Sequence, residues 1–403
     1  MQNKLKANKL VPSKLTIVAD DHIWGAEAAF SNLSGFDVDL RLLENKQINR
    51  ACLSDADILL TRSSTRVNAD LLAETSVLFA ATATIGDDHY DTSWLDAHGI
   101  CWANAAGSST GSVLEYMLTV FLDLHARKVI NIPQTSIGII GAGRIGGALA
   151  LLCERLGMTV LLNDPPRARQ EGGEAFSTLD EVLAEADILS MHTPLIHRGE
   201  DCTVRLLSRA QMSAFHGKGI INAGRGSCLD NAALCAWLDE GDGRFAVLDC
   251  WENEPAPLAA LIKHSGMMIA TPHIAGHSVE GKAANTQYIY NALCRFLNIQ
   301  QIWDMTDDLP DFPAPLDLSN EGFKQTNSWQ TLHVTSTALY PILNDDQAMR
   351  SWADFPTLEL AKAFAIYRRN YPARRAWQHA PIMLGGADTD TINMAQAIGL
   401  KIV

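Results

Sequence analysis

Three short stretches carry side chains that could do acid–base or anion chemistry. GIINAGRG presents Arg225, LDCWENEP presents Asp249, Glu252 and Glu254, and TPHIAGHSVEGK presents His273 and His277. A planar guanidinium can grip a carboxylate through two hydrogen bonds and polarise the carbonyl beside it. A neutral imidazole can take a proton from a hydroxyl, and a carboxylate behind it fixes its tautomer and favours the imidazolium that forms. Arg225, Glu254 and His273 therefore read as a set able to oxidise a hydroxyl next to a carboxylate. The two histidines stand four apart and could instead share a zinc ion. Pro272 and Gly276 interrupt the helix that such a pair needs, and no cysteine or carboxylate cluster is evident to complete a site, so no metal is expected. His273 is read on a loop at a strand end, with His277 opening the helix that follows.

Such an oxidation needs an electron acceptor, and SIGIIGAGRIGG offers a place for one. Gly141, Gly143 and Gly146 form G-x-G-x-x-G between a predicted strand and a predicted helix, the context this motif requires. Gly141 permits a tight turn, Gly143 lets the backbone approach a pyrophosphate, and Gly146 allows close helix–strand packing. The helix opening with Arg144 and Ile145 then points its N-terminus at the phosphates. Asp164 ends the next strand in TVLLNDPPR, where a carboxylate accepts ribose hydroxyls and repels a 2′-phosphate. NAD is thus expected over NADP, although Arg167 stands close enough in sequence to soften the preference.

These residues need elements to carry them. KLTIVADD (14–21), DADILLTRSS (55–64) and SVLFAATATIGDDH (76–89) are apolar runs ending in polar residues, with helix-like segments between them. After a long amphipathic stretch (108–130), the same alternation runs through TSIGIIG, TVLLND, ADILSMHTPL, GIINAGRG, FAVLDCWENEP and MMIATPHIAG. Alternation of this kind implies parallel sheets with function at the strand C-termini. The expected fold class is α/β, with two doubly wound Rossmann-like lobes, a cleft between them, and a small C-terminal α+β domain. The first lobe takes residues 1–111 and 272–303, the second 112–271, and a Pro- and Asp-rich linker opens the C-terminal part at 304–403. That part reads as two helix-like segments followed by a β-α-β ending in PIMLGG, DTDTINMAQAIGL and KIV.

Composition narrows the partners. A chain of 403 residues with 47% hydrophobic and 19% charged residues has the balance of a soluble protein of two or three domains. A net charge of −14 argues against nucleic acid as a partner, so an anionic ligand needs a local cluster of cations and N–H groups. No apolar run is long enough to span a membrane, and MQNKLKANKLVPSK reads as a frayed leader without a secretory core. The eight scattered cysteines, without a C-x-x-C pair, fit a reducing cytoplasm.

Taken together, NAGRG, D-x-W-E-x-E-P and PHIAG resemble the D-isomer-specific 2-hydroxyacid dehydrogenases over about residues 14–300. The resemblance implies catalytic roles for Arg225, Glu254 and His273. It also implies cofactor contacts at Thr193 of HTPL, at Ala223 and Gly224, at Asp249 and at Gly276. TRSSTRVN, TATIGDDHYD and the C-terminal RRNYPARRAW resemble a narrower branch that acts on a small phosphorylated hydroxy acid in vitamin B6 synthesis. That branch implies substrate contacts at Ser63 and Thr82 and a homodimer formed through the C-terminal domain. His277 stands where some relatives carry Tyr, which the resemblance implies to be on the substrate side, and an imidazole can also pair with a phosphate. Two other readings stay open: a dehydrogenase of phosphoglycerate or glyoxylate type, and a non-catalytic NAD-sensing interaction protein on the same fold.

Overall fold

The computed structural model describes residues 13–311, 314–319, 327–372 and 374–403. Most of the lysine-rich leader therefore lies outside the described residues. The chain divides into two compact units, residues 1–109 with 278–311 and residues 110–277 with 312–403.

The first unit is built on five parallel strands, β1 (Lys14–Asp20), β2 (Asp37–Leu43), β3 (Ile58–Thr61), β4 (Phe79–Thr82) and β5 (Cys101–Asn104), in the order β2-β1-β3-β4-β5. β3 and β4 are buried at every position, as expected of strands covered on both faces. Helix Val279–Leu297 returns to this unit and packs on β4 and β5, burying Ile289, Tyr290 and Leu293. It begins at Val279, because the Ser278 side chain caps it by accepting the Gly281 N–H at 2.9 Å. His277 thus precedes the helix and does not open it.

The second unit holds six parallel strands, β6 (Ser136–Ile140), β7 (Thr159–Asn163), β8 (Ile188–Met191), β9 (Gly219–Asn222), β10 (Phe245–Leu248) and β11 (Met267–Ala270). Their order is β11-β10-β9-β8-β6-β7, so the direction of winding reverses between β6 and β8. The crevice at such a reversal is where open α/β sheets bind ligands. Helix Thr110–Ala126 buries Val113, Tyr116, Met117 and Phe121 in the same cluster as Ile137 and Ile139 of β6.

The division differs from the sequence reading at two places. Residues 272–277 stay with the second unit, because the buried Asp249 carboxylate after β10 accepts the Ile274 and Ala275 N–H groups at 2.7 and 3.0 Å. The C-terminal residues are not a separate body either, because they share the second unit's core through Leu332, Tyr340, Trp377 and Ile382. Arg374, 8% exposed, pairs with Glu115 of helix Thr110–Ala126, and its second Nη donates to the Ser112 carbonyl at 3.0 Å.

Among the described residues three helices, not two, follow the linker before the β-α-β ending: Ser328–Leu339, Ile342–Ser351 and Thr357–Arg369. The second covers β11, the edge strand of the large sheet, and satisfies its unpaired backbone groups. Asp346 accepts the Ala270 N–H at 2.7 Å, and Arg350 donates to the Met267 carbonyl at 2.6 Å. The β-α-β ending is present as β13 (Pro381–Met383), helix Thr389–Ala397 and β14 (Lys401–Ile402). β12 (Leu316–Asp317) lies inside the stretch read as a linker, and its parallel pairing with β13 makes this a three-stranded sheet.

Candidate functional site

Arg225, Asp249 and His273 follow β9, β10 and β11, three neighbouring strands whose C-terminal ends therefore lie side by side. The loops after them are locked together. Gly226 packs so tightly that a Cβ there would meet the Trp251 carbonyl oxygen at 1.8 Å. The Trp251 indole N–H donates to the Thr271 carbonyl at 2.8 Å.

His273 Nδ1 lies 2.7 Å from Glu254 Oε2. A carboxylate only accepts, so the proton sits on Nδ1 and Nε2 is left with its lone pair. The other Glu254 oxygen accepts the Trp251 N–H at 2.7 Å. Burial, the largest influence, pushes the Glu254 carboxyl up, yet it is held below its ordinary value. The charge and hydrogen bond of His273, the Arg368 guanidinium and the Trp251 N–H together prevail. The pair can thus accept and release a proton at Nε2 while the carboxylate balances the charge.

The three acids of LDCWENEP have separate tasks. Glu252 is bound by Arg205 at 2.9 and 3.0 Å and by the Asn231 N–H. Asp249 is 1% exposed and is saturated by local bonds: its Oδ1 accepts the Thr271 hydroxyl and the Ile274 N–H, its Oδ2 the Ala275 N–H. It builds the PHIAG loop itself, a task that no sequence signal separated from cofactor contact. Burial pushes its carboxyl up against these bonds and the charge of His273. Arg225 is half-buried and donates one Nη to the Gly224 carbonyl at 2.9 Å. Ala223 is 8% exposed, and a Cβ on Gly224 would meet the Met191 carbonyl oxygen at 2.9 Å. Gly276 lies half-buried on the anchored loop.

A cysteine stands closer to this pair than the sequence suggested. Donor atoms of Cys250, Glu254 and His273 fall within 4.8 Å of one another. The Cys250 thiol donates to the Gly224 carbonyl at 3.1 Å, and burial raises its pKa well above the ordinary value. It is a thiol at neutral pH, which is a poor metal ligand.

The glycine turn after β6 has the form of a phosphate cradle. Gly141 has φ +90, and a Cβ there would stand 2.8 Å from the Thr193 nitrogen. Gly146 fits under the turn, where a Cβ would meet the Gly141 oxygen at 2.0 Å. Gly143 has nothing within 4 Å of a Cβ position, and as N-cap of helix Arg144–Arg155 it uses no side chain on the helix's free N–H groups. Exposed Arg144 and half-buried Ile145 open that helix. Thr193 follows β8 across the winding reversal, and its buried hydroxyl has no partner among the described residues. An open glycine and an orphaned hydroxyl on either side of the reversal fit a dinucleotide.

Asp164 follows β7 and accepts the Ala142 and Arg167 N–H groups at 2.9 and 3.1 Å, tying the acidic position to the turn. The Arg167 guanidinium is occupied by Glu171 at 2.8 and 2.7 Å and by the Ala142 carbonyl. Its donors are thus spent on Glu171 and Ala142, while its charge also acts on Asp164. His192, beside Thr193, was missed by sequence reasoning. Its Nε2 meets Ser190 Oγ at 2.8 Å, its Nδ1 has no partner among the described residues, and burial lowers its pKa to about 4.

In the first unit, β3 and β4 pair with Thr61 opposite Thr82, so Ser63 and Thr82 come to adjacent strand ends. Ser63 is exposed on a turn closed by the Thr65 N–H on the Arg62 carbonyl. Thr82 is fully buried, with its hydroxyl on Thr84 at 2.7 Å and His89 at 2.9 Å. Lys282, not singled out from sequence, is half-buried, and burial and the field of Arg62 lower its pKa. His277, in the second unit, packs its ring on Tyr371 with centroids 5.7 Å apart.

Comparison with known proteins agrees with this geometry. Residues 122–275 match the family model for the D-isomer specific 2-hydroxyacid dehydrogenase, NAD binding domain. An erythronate-4-phosphate dehydrogenase of Marinobacter nauticus is 38% identical over 394 residues, covering 96% of this chain and 100% of that one. One from Pseudomonas syringae pv. syringae is 36% identical over 390 residues, covering 96% and 100%. Among solved structures, the NAD+-bound 3-phosphoglycerate dehydrogenase of Entamoeba histolytica aligns with a TM-score of 0.59 at 18% identity, covering 71% of this chain and 96% of that one. The Aquifex aeolicus D-lactate dehydrogenase, with a TM-score of 0.56 at 19% identity, covers 70% and 95%. At such identities the structural likeness speaks for the fold alone.

Proposed function

We propose that this chain, which belongs to the erythronate-4-phosphate dehydrogenase family among the D-isomer-specific 2-hydroxyacid dehydrogenases, oxidises 4-phospho-D-erythronate to 2-oxo-3-hydroxy-4-phosphobutanoate. This is an NAD-dependent step toward pyridoxal phosphate. The observation that carries the reading is the 2.7 Å bond between His273 and Glu254, on the strand ends beside Arg225.

His273 takes the C2 hydroxyl proton on Nε2, and Glu254 stabilises the imidazolium through Nδ1–H. Arg225 grips the neighbouring carboxylate and draws charge from the carbonyl as it forms. Bound NAD supplies the acceptor for the hydrogen that leaves C2 with its electron pair. Gly141, Gly143, Arg144, Ile145, Gly146, Asp164, Thr193, Ala223, Gly224 and Gly276 hold it, and Asp249 acts mainly by shaping the loop. Residues 110–277 of the second unit are the cofactor-binding part, and Ser63 and Thr82 of the first unit serve as substrate contacts. Arg62 and Lys282 supply positive charge, which an acidic chain must concentrate locally to hold a phosphorylated acid. His277 is kept as a substrate-side residue.

A homodimer through the C-terminal residues belongs to the same reading. Leu343, Phe355, Leu358 and Ile366 there are exposed apolar side chains, with Leu358 at 67%. The cytoplasm is the proposed location, in keeping with eight free cysteines. Among the described residues no helix is long and apolar enough to cross a membrane. NADH formation by the purified protein, followed with 4-phosphoerythronate, 3-phosphoglycerate and glycerate in parallel, tests the substrate. Preference for either of the latter two would overturn it.

A further inference from the structure

We infer that Arg368, in the last turn of helix Thr357–Arg369, is a positioning residue for the acid–base pair, its Nε–H holding the main-chain carbonyl of His273 at 3.1 Å. The inference rests on the roles proposed above for His273 and Glu254.

His273 has φ 56, a left-handed backbone conformation that a residue with a Cβ adopts only when its surroundings impose it. Its own N–H is shared between the Asp249 and Thr271 carbonyls, at 2.8 and 3.1 Å. The two N–H groups after it are held by the Asp249 carboxylate. The His273 carbonyl shares one planar peptide with the Ile274 N–H, so Arg368 on the carbonyl and Asp249 on the N–H clamp that peptide from its two ends. With Nδ1 fixed on Glu254, the direction of Nε2 depends on where this backbone sits.

Arg368 is mounted to do this. Helix Ile342–Ser351 is fastened to β11 by Asp346 and Arg350, and β11 leads into the His273 loop. Tyr367 and Tyr371, on either side of Arg368 in sequence, donate to the two oxygens of buried Asp345 on that helix, at 2.6 and 2.9 Å. Arg369, the next residue, is exposed, whereas Arg368 is half-buried. Arg368 forms no ion pair among the described residues, so its charge acts on the cluster beside it. That cluster holds Asp249, Cys250 and Glu254 after β10 and His273 after β11, with Arg225 as the other cation. Arg368 is among the groups that hold the Glu254 carboxyl low.

The test compares Arg368→Gln and Arg368→Lys in the full chain. Arg368→Gln lowers kcat roughly 10- to 100-fold, the size of effect expected when a reacting group is misplaced. KM and NADH affinity stay near wild type, and the acid limb of kcat/KM moves to higher pH because Glu254 loses a cation. Arg368→Lys restores the acid limb but not kcat, since an ammonium brings the charge without the planar Nε–H. A second readout needs no turnover: the downfield proton resonance of His273 Nδ1–H, assigned by its absence in His273→Asn. It shifts or broadens in Arg368→Gln and stays in place in Arg369→Gln. Wild-type kcat together with an unmoved resonance overturns the inference, as does a rise in KM with kcat intact, which marks a substrate contact instead. A wild-type protein inert toward every hydroxy acid, whose resonance still moves only with Arg368, sinks the proposed reaction and keeps the positioning role.

Discussion

Glu254→Gln isolates the tautomer lock with the loss of one charge and almost no change of shape. In the wild type both carboxylate oxygens accept, one from Trp251 N–H and one from His273 Nδ1–H, each at 2.7 Å. An amide has one oxygen and one NH2. If the oxygen stays on Trp251, the NH2 faces His273 and forces Nδ1 to become the acceptor. The proton then moves to Nε2, where the base needs its lone pair. If the amide flips, its NH2 meets the Trp251 N–H, donor against donor. The first arrangement loses a charge-assisted hydrogen bond of about 1.5–3 kcal/mol, and the second adds an unsatisfied donor at about 1–3 kcal/mol. The variant takes one arrangement or the other, so the expected loss is roughly 10- to 10²-fold in kcat, at a factor of ten per ~1.4 kcal/mol. Steady-state kcat is measured beside NADH affinity by fluorescence titration, with Glu254→Asp retaining the charge. A Glu254→Gln enzyme with wild-type kcat would refute the tautomer argument, and a loss traced wholly to weaker NADH binding would move Glu254 to the cofactor site.

Gly141→Ala forces a Cβ onto a residue at φ +90 and within 2.8 Å of the Thr193 nitrogen, so NADH affinity should fall at least about tenfold, read by the same titration. Arg374→Ala removes the cation from half-buried Glu115, whose other oxygen still accepts the Trp377 N–H at 2.8 Å, and should cost about 3 kcal/mol of stability, measured by denaturant unfolding. His192 adds a pH dependence of defined sign. Its folded pKa is about 4 against an ordinary 6.5, so its contribution is full above about 6.5 and declines as the pH falls toward about 4. His192→Gln should flatten that slope in unfolding measured at neutral and mildly acid pH. Leu358→Glu combined with Ile366→Glu places charge on two exposed apolar positions of one helix, and light scattering should report a dimer for the wild type and a monomer for the variant. An unchanged dimer would place the interface elsewhere.

The strand ends that hold the candidate site were legible because each follows a short apolar run. GIIN, FAVL and MMIA are β9, β10 and β11, and Arg225, Asp249 and His273 follow them. The glycine turn was legible because close packing leaves only glycine able to fit at Gly141 and Gly146. β2 went unnoticed since DVDLRLL alternates charge with apolar residues and reads as surface, and β12 was hidden in two residues of a Pro- and Asp-rich stretch. The C-terminal helices were undercounted, and their service to the site was invisible. Asp346 on Ala270 and Arg368 on His273 are contacts between residues far apart in sequence, which no local pattern encodes. Asp249 shows the same limit at short range. Its position was read, but the three bonds that make it the keystone of the PHIAG loop depend on how the loop folds back.

In the proposed reaction the hydrogen leaves the carbon beside the carboxylate while His273 removes the hydroxyl proton. Single-turnover oxidation of 4-phospho-D-erythronate deuterated at C2 tests both events. The deuterium should be recovered in the reduced cofactor with a slowed transfer step, and His273→Asn should abolish transfer while NADH still binds. Deuterium lost to solvent, or transfer that persists in His273→Asn, would contradict it.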